Sequence, residues 1–339
     1  MRYPKFLKEK DCIGLLATSC GNNVNPYRIR AQVGIKKFID YGYKIKRGHR
    51  VFANFNAVSA PHELRAKDFM SFYKNKKIDF LWSTGGGELM MGMLPFIDFE
   101  KIKSLPPKFF CGFSDNTNLT FTLTTICDIA TLYSTSIGHF AYENISVDCL
   151  DSYKLMKGEK LSFDSYPFYY GSNSKITDKK PLQECVYLDE VKWESLSNKE
   201  ENFEGRIIGG CIDVLVSLCG TKYDNVVNFV EKYKDDGIIW YFDACDLNSC
   251  GLYRAFFQLK EANWFNYVKG IIIGRPGNSF EPLGYSFNQA IIDGLNDLNV
   301  PVIYNADISH VSPSIPILNG AYCKINYKDN KGNITFILK

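Results

Sequence analysis

The chain has 339 residues, more than one typical domain holds, so two domains are expected. Hydrophobic residues make up 45 % and charged residues 23 %, an ordinary globular balance that excludes a disordered or low-complexity protein. A formal net charge of +3 with dispersed lysines excludes a nucleic-acid surface, and no apolar run reaches the roughly 18 residues of a membrane span.

The first half alternates strand and helix. Cys12 to Thr18 is a short apolar run, followed by the loop Ser19-Cys20-Gly21-Asn22-Asn23. Tyr27 to Tyr41 reads as a helix, Tyr43 to Val51 as a strand and Ala60 to Tyr73 as a helix. Ile78 to Trp82 is a strand, Thr84 to Gly87 a turn and Glu88 to Ile97 a helix. Phe109-Phe110-Cys111 is a strand that runs into Gly112-Phe113-Ser114-Asp115, and Leu119 to Ile129 has helical character. Ala130 to Ser134 is a strand. Strict alternation at these lengths predicts a parallel sheet with helices on both faces. From about Glu143 to Glu204 the pattern weakens, and this stretch reads as linker and irregular β structure. Clear signal returns with the strand Arg206 to Gly210, the helix Ile212 to Cys219 and the strand Ile238 to Phe242. Then follow the helix Leu252 to Ala262, the strand Val268 to Ile273, the helix Phe287 to Leu295 and the strand Val302 to Asn305. Ala321 to Leu338 reads as a hairpin about Asp329-Asn330-Lys331-Gly332.

There are 11 cysteines, an odd count without a Cys-x-x-Cys pair, and most sit in apolar runs. Buried reduced thiols in a reducing compartment fit that usage, with Cys245 and Cys250 as a redox or ligand alternative. The N-terminus has no signal-peptide core, so a cytoplasmic protein is expected. Four histidines without paired spacing argue against a metal, and no cofactor motif is present.

Four segments carry chemistry. A serine where a strand turns sharply into a helix, as at Ser114, has its hydroxyl lifted clear of the sheet, and the next amide can hold an oxyanion. An ordinary helix N-cap is the competing reading of Ser114-Asp115-Asn116-Thr117. Ser83-Thr84-Gly85-Gly86-Gly87-Glu88 follows a strand, and its glycines let backbone amides approach a ligand. It lacks the dinucleotide and phosphate-loop patterns, and Glu88 would repel a phosphate, so an oxyanion donor or a tight turn remains. Asp243 ends the apolar strand Trp240-Tyr241-Phe242, as a cap or as the orienter of a histidine. His310 follows the strand Val302 to Asn305 in Asp307-Ile308-Ser309-His310, where bases are often mounted, with His139 in reserve. Serine needs a base, and that base needs a third group to fix its tautomer. Ser114, Asp243 and His310 supply one of each.

As a set, the glycine loop Ser83 to Met90, the Gly112-Phe113-Ser114-Asp115 elbow, the Gly209-Gly210 turn and the Ile308-Ser309-His310 end resemble the LD-carboxypeptidases. That family of serine peptidases includes muramoyl-tetrapeptide carboxypeptidases and microcin C immunity proteins. The resemblance runs from Gly14 to about Tyr322 and is strengthened by Pro95-Phe96-Ile97-Asp98-Phe99. It implies an α/β chain, with an N-terminal flavodoxin-like parallel-sheet domain over 1–160 and a linker over 161–204. A smaller C-terminal α/β domain over 205–339 would carry the acid and the base. Ser114 would be the nucleophile, His310 the base, and the amides of Gly86 and Asp115 the oxyanion hole, with no metal or cofactor. Two positions depart from the family pattern: Asp243 stands where glutamate is usual, with Asp246 as a substitute, and Ser309 stands where glycine is common. The implied substrate is a muropeptide-type peptide with a free carboxylate, from which a terminal D-amino acid is released during cell-wall recycling. Arg275 is the candidate cation, with a structural salt bridge as its competing reading, and Glu88 a candidate substrate contact. The alternative is cleavage of a peptidyl or aminoacyl nucleotide, with Trp193 as a platform for the base. A catalytically impaired binding protein is a second alternative, and a homodimer is common in the family.

Overall fold

Residues 1–170, 180–183 and 186–339 are described by the computed structural model. The chain opens with β1 (Cys12–Leu16), α1 (Tyr27–Asp40), β2 (Lys44–Arg47), α2 (His62–Lys74) and β3 (Phe80–Ser83). It continues with α3 (Phe99–Lys103), β4 (Phe110–Gly112), α4 (Thr117–Cys127) and β5 (Thr131–Tyr133). The five strands are parallel in the order β5-β4-β3-β1-β2. That is the flavodoxin-like winding, which leaves a crevice where the connections leave β1 and β3 on opposite sides. The loops after β1, β3 and β4 all open at this end, and they carry Ser19, the glycines 85–87 and Ser114.

Glu88 to Ile97 differs from its expected helix. It forms a 3₁₀ turn over Met90–Phe96, with α3 following. Pro95 lacks the amide hydrogen that an α-helix interior needs. Gly92 lies against the His62 ring, so closely that an added Cβ would come within 2.4 Å of it.

The stretch read as linker holds more order than its composition suggests. It begins with α5 (Val147–Met156), whose Asp148, Asp151 and Ser152 are buried, so its hydrophobic period is obscured by polar residues that find partners. Tyr166 donates to Asp151 at 3.1 Å, and Lys160 pairs with it at 2.7 Å. Next come β6 (Ser162–Asp164), β7 (Phe168–Tyr170), β8 (Tyr187–Glu190) and β9 (Glu194–Ser195). Residues 171–179 and 184–185 of this segment, Cys185 among them, lie outside the described residues.

The second sheet is built on β10 (Glu201–Cys211), β11 (Ile238–Asp243), β12 (Val268–Gly274) and β13 (Val302–Ala306), all parallel. Its helices are α6 (Ile212–Leu218), α7 (Val226–Lys232), α8 (Ser249–Glu261) and α9 (Phe287–Leu295). The chain ends with β14 (Ile317–Asn319) and the hairpin β15 (Tyr322–Lys328) and β16 (Lys331–Ile337). The eight strands run β6-β16-β15-β10-β11-β12-β13-β9, so the segment between the halves supplies both edges. β14 instead crosses back and pairs antiparallel with β5.

Burial on both faces explains the unbroken apolar reading of β11: all six residues are buried. Trp240 and Phe242 face one core, where Trp240 stacks on Trp264 at 5.3 Å, while Ile239 and Tyr241 face the other. The period of two puts Asp243 on the Tyr241 side, toward β5. α4 lies between the two halves and is almost wholly buried. Three of its threonines satisfy their hydroxyls on the preceding turn: Thr122 donates to Asn118 O at 2.5 Å, Thr124 to Thr120 O at 2.9 Å and Thr125 to Phe121 O at 3.0 Å. Across the joint, Cys211 N donates to Thr117 Oγ1 at 2.9 Å. Gly210, at φ +151°, fits there because an added Cβ would sit 2.5 Å from Thr117 Cγ2. No described helix is long and apolar enough to cross a membrane.

Candidate active site

Ser114 sits two residues beyond the end of β4, and its backbone is left-handed at φ +61°. For a residue with a Cβ that conformation costs on the order of 1 kcal/mol, so the surroundings must hold it. They do so with the side chains that read as a helix cap. Asn116 donates to Gly85 O at 2.9 Å and Phe113 O at 3.0 Å, and accepts from Thr18 Oγ1 at 2.8 Å. Asp115 is 3 % exposed and accepts from Met90 N at 2.9 Å, Asn118 Nδ2 at 2.9 Å and the Ser19 hydroxyl. Burial raises its carboxyl pKa, against these donors and the nearby Arg65. The elbow and the glycine loop are thereby one hydrogen-bonded unit. Gly86 lies against the serine: a Cβ there would come 3.1 Å from Ser114 Cβ and 3.3 Å from Oγ.

Arg65 of α2, which carried no signal in the sequence, fixes the other side of that loop. It is 1 % exposed and donates to Leu89 O at 3.0 Å, Ala60 O at 3.0 Å and Thr18 O.

Asp243 and His310 come from the second half. Asp243 is fully buried at the C-terminal end of β11. Its Oδ1 accepts the His310 amide at 3.1 Å, and its Oδ2 lies 2.8 Å from His310 Nδ1. Burial alone would lower the His310 pKa, but the Asp243 charge and hydrogen bond outweigh it and raise the pKa above the ordinary 6.5, with Cys245 adding to the effect. The shorter acid therefore reaches its histidine directly, without a water between them, and Asp246 is not needed for the contact. The Phe113 ring, next to Ser114 in the chain, packs 5.3 Å from the His310 ring. His139 packs on Phe113 as well, at 5.8 Å, where burial lowers its pKa to about 3 and keeps it neutral.

Ser114, Asp115 and His310 share the lining of one cleft of about 340 Å³ with Glu88, Asp213 and Asp246. Among the described residues lining it there is no lysine or arginine. Asp213, in the first turn of α6, was not singled out in the sequence. It accepts the amides of Cys245 at 3.1 Å, Asp246 at 3.0 Å and Leu247 at 2.9 Å, which fixes the loop that follows Asp243. An aspartate three residues beyond the Gly209-Gly210 pair was its only signal. Glu88 is exposed, and its pKa is raised by partial burial and then by Asp246, Asp115 and Asp213.

Residues 13–134 match the LD-carboxypeptidase N-terminal domain, and residues 204–325 match its C-terminal domain. The chain belongs to the LD-carboxypeptidase family. It is 26 % identical to YocD of Bacillus subtilis over 95 % of both chains. It is 23 % identical to the microcin C7 self-immunity protein MccF of Escherichia coli, over 96 % of this chain and 93 % of that one. A probable murein peptide carboxypeptidase of Bacillus subtilis is 22 % identical over 95 % of this chain and 91 % of its own. Among solved structures, an MccF-like protein from Bacillus anthracis str. Ames superposes with a TM-score of 0.83 at 21 % identity, over 100 % of both chains. MccF in complex with glutamyl sulfamoyl guanosine superposes with a TM-score of 0.82 at 21 % identity, over 99 % of both chains. These likenesses bear out the recognition of the family and its α/β fold.

Two residues expected on this family's substrate surface are placed elsewhere. Arg275 is 6 % exposed and pairs with the buried Asp307. It also donates to Val311 O at 2.9 Å and Pro313 O at 2.8 Å. Trp193 is fully buried and donates to Asp307 at 2.9 Å. Neither lines the cleft among its described residues. Both brace the loop that carries His310, and the corrected reading is structural: a guanidinium already facing a buried carboxylate and two carbonyls has little left for a substrate. Cys245 and Cys250 are free thiols, and no two described cysteines are joined in a disulfide.

Proposed function

We propose that this chain hydrolyses an amide bond through an acyl-enzyme formed on Ser114. The observation that carries the reading is His310 Nδ1 held 2.8 Å from a buried carboxylate, with the ring facing the same cleft as the left-handed serine. In this mechanism Ser114 Oγ attacks the carbonyl carbon while His310 Nε2 takes its proton. The Asp243 charge stabilises the imidazolium that forms. The amides of Asp115 and Gly86 receive the oxyanion, and the close packing of Gly86 on Ser114 supports that role. His310 then returns the proton to the leaving amine, and water repeats the sequence on the ester.

A muropeptide-type peptide that loses its terminal D-amino acid is the first substrate class. The acidic wall of Glu88, Asp213 and Asp246 supports a substrate that brings an ammonium group close to the scissile bond. Aminoacyl-nucleotide cleavage is the second reading, favoured by full-length likeness to MccF, which has been solved with glutamyl sulfamoyl guanosine. Purified protein is incubated with a muropeptide tetrapeptide and, separately, with an aminoacyl-sulfamoyl adenosine. Release of D-alanine or of free amino acid is followed, with Ser114→Ala as the control. Equal rates for the two proteins on both substrates would remove Ser114 as the nucleophile.

A further inference from the structure

Tyr133 is the last residue of β5, in the first half of the molecule, yet its hydroxyl touches both halves of the site. It accepts the Ser114 amide at 3.1 Å and donates to Asp243 Oδ2 at 2.7 Å. The same Oδ2 faces His310 Nδ1 at 2.8 Å. One oxygen therefore lies between the backbone of the nucleophile and the acid that orients the base. Tyr133 is 3 % exposed, and burial followed by the Asp243 charge raises its pKa well above 10, so the phenol stays protonated and remains a donor. Its neighbour Tyr241, with ring centroids 5.6 Å apart, has a buried hydroxyl with no partner among the described residues.

We propose that Tyr133 is a positioning residue of the hydrolytic site, which locks the left-handed Ser114 and the shortened acid Asp243 into one register across the two halves. The inference rests on the acyl-enzyme reading of Ser114. The bridge does two things. It gives the amide of a strained residue a fixed acceptor, so the elbow cannot relax to an ordinary turn. It also holds the carboxylate on a second donor, so that Asp243 is aimed at His310 although it lacks a methylene. The groups around His310 are Asp243 from β11, Cys245 from the loop after it, Glu88 from the glycine loop and His139 behind Phe113. Of these, Asp243 is the one that Tyr133 donates to. Removing the donor leaves the carboxylate more dependent on His310, which strengthens the ion pair and moves the histidine titration to higher pH.

The test uses the full chain in the Tyr133→Phe variant, with Tyr241→Phe as the control for loss of a buried phenol oxygen. The probe is an alkyl fluorophosphonate, whose phosphorus is attacked by an activated serine with loss of fluoride. Labelling rates are measured from pH 5 to 10 (roughly the span over which a histidine raised from its ordinary value titrates). Tyr133→Phe is expected to slow labelling at neutral pH by about tenfold or more, the scale of a lost hydrogen bond to a charged group, and to move the acid limb upward. Tyr241→Phe keeps both. In a Ser114→Ala background, the imidazole resonances of His310 are titrated by NMR with and without Tyr133→Phe, a readout independent of any nucleophile. An upward shift specific to Tyr133→Phe supports the bridge. A Tyr133→Phe protein that melts lower but titrates and labels like the parent overturns it. Equal labelling of wild type and Ser114→Ala would sink the acyl-enzyme reading instead, and the NMR arm still decides the bridge.

Discussion

Replacing Asp243 by glutamate asks whether this site is built around the shorter acid. The carboxylate is fully buried and held by contacts of 2.7 Å to Tyr133, 3.1 Å to the His310 amide and 2.8 Å to His310 Nδ1. One more methylene pushes the carboxylate about 1.5 Å forward, a bond length, into partners already at contact. Overpacking of this kind costs about 1–3 kcal/mol. If that strain falls on the alignment of His310, the barrier rises by the same amount, and the rate falls by about fivefold to 160-fold. Serine labelling by a fluorophosphonate, with thermal unfolding in parallel, separates a misplaced base from a destabilised fold. Glu at 243 labelling as fast as, or faster than, Asp would refute the reasoning and show that the backbone yields.

Gly86→Ala brings a Cβ to 3.3 Å from Ser114 Oγ, and slower labelling is expected at an unchanged pH midpoint, because the acid and base are untouched. Arg275→Met leaves the buried Asp307 uncompensated, so a loss of about 3–5 kcal/mol is expected in denaturant unfolding, with no specific weakening of substrate affinity; a raised KM at unchanged stability would return Arg275 to substrate binding. The His310 pKa is raised by folding, so reactivity, which needs the neutral ring, rises with pH through that raised value. The stability from its ion pair runs the other way: it is fully present below 6.5 and is lost as pH rises through the folded value. A reactivity midpoint at or below 6.5, or a pair that stabilises more at alkaline pH, would contradict this coupling.

Sequence alone was enough for the alternation of the first half, since each strand buried on both faces is a short apolar run closed by a turn. Ser114, Asp243 and His310 stand out as candidates for the same reason: each is a polar residue at or just beyond the C-terminal end of such a run, where a parallel sheet exposes its loops. Polar residues that act by being buried gave no such signal. Asp148 and Asp151 hid the period of α5, Arg65 read as one more charge on a helix, and Tyr133 read as one more aromatic in a strand. Arg275 and Trp193 showed the opposite: they ended or punctuated segments as substrate contacts do, but Asp307 binds both of them under the His310 loop.

What the residues determined by themselves was local: strand, turn and helix follow from patterns of two and three to four residues, and strand-end chemistry follows from position along them. What only the tertiary structure decided was which polar atoms meet. Hydrogen bonds and ion pairs act over about 3 Å, and Tyr133 and Asp243 lie 110 positions apart in the chain, so their bond exists only once two sheets have packed against α4.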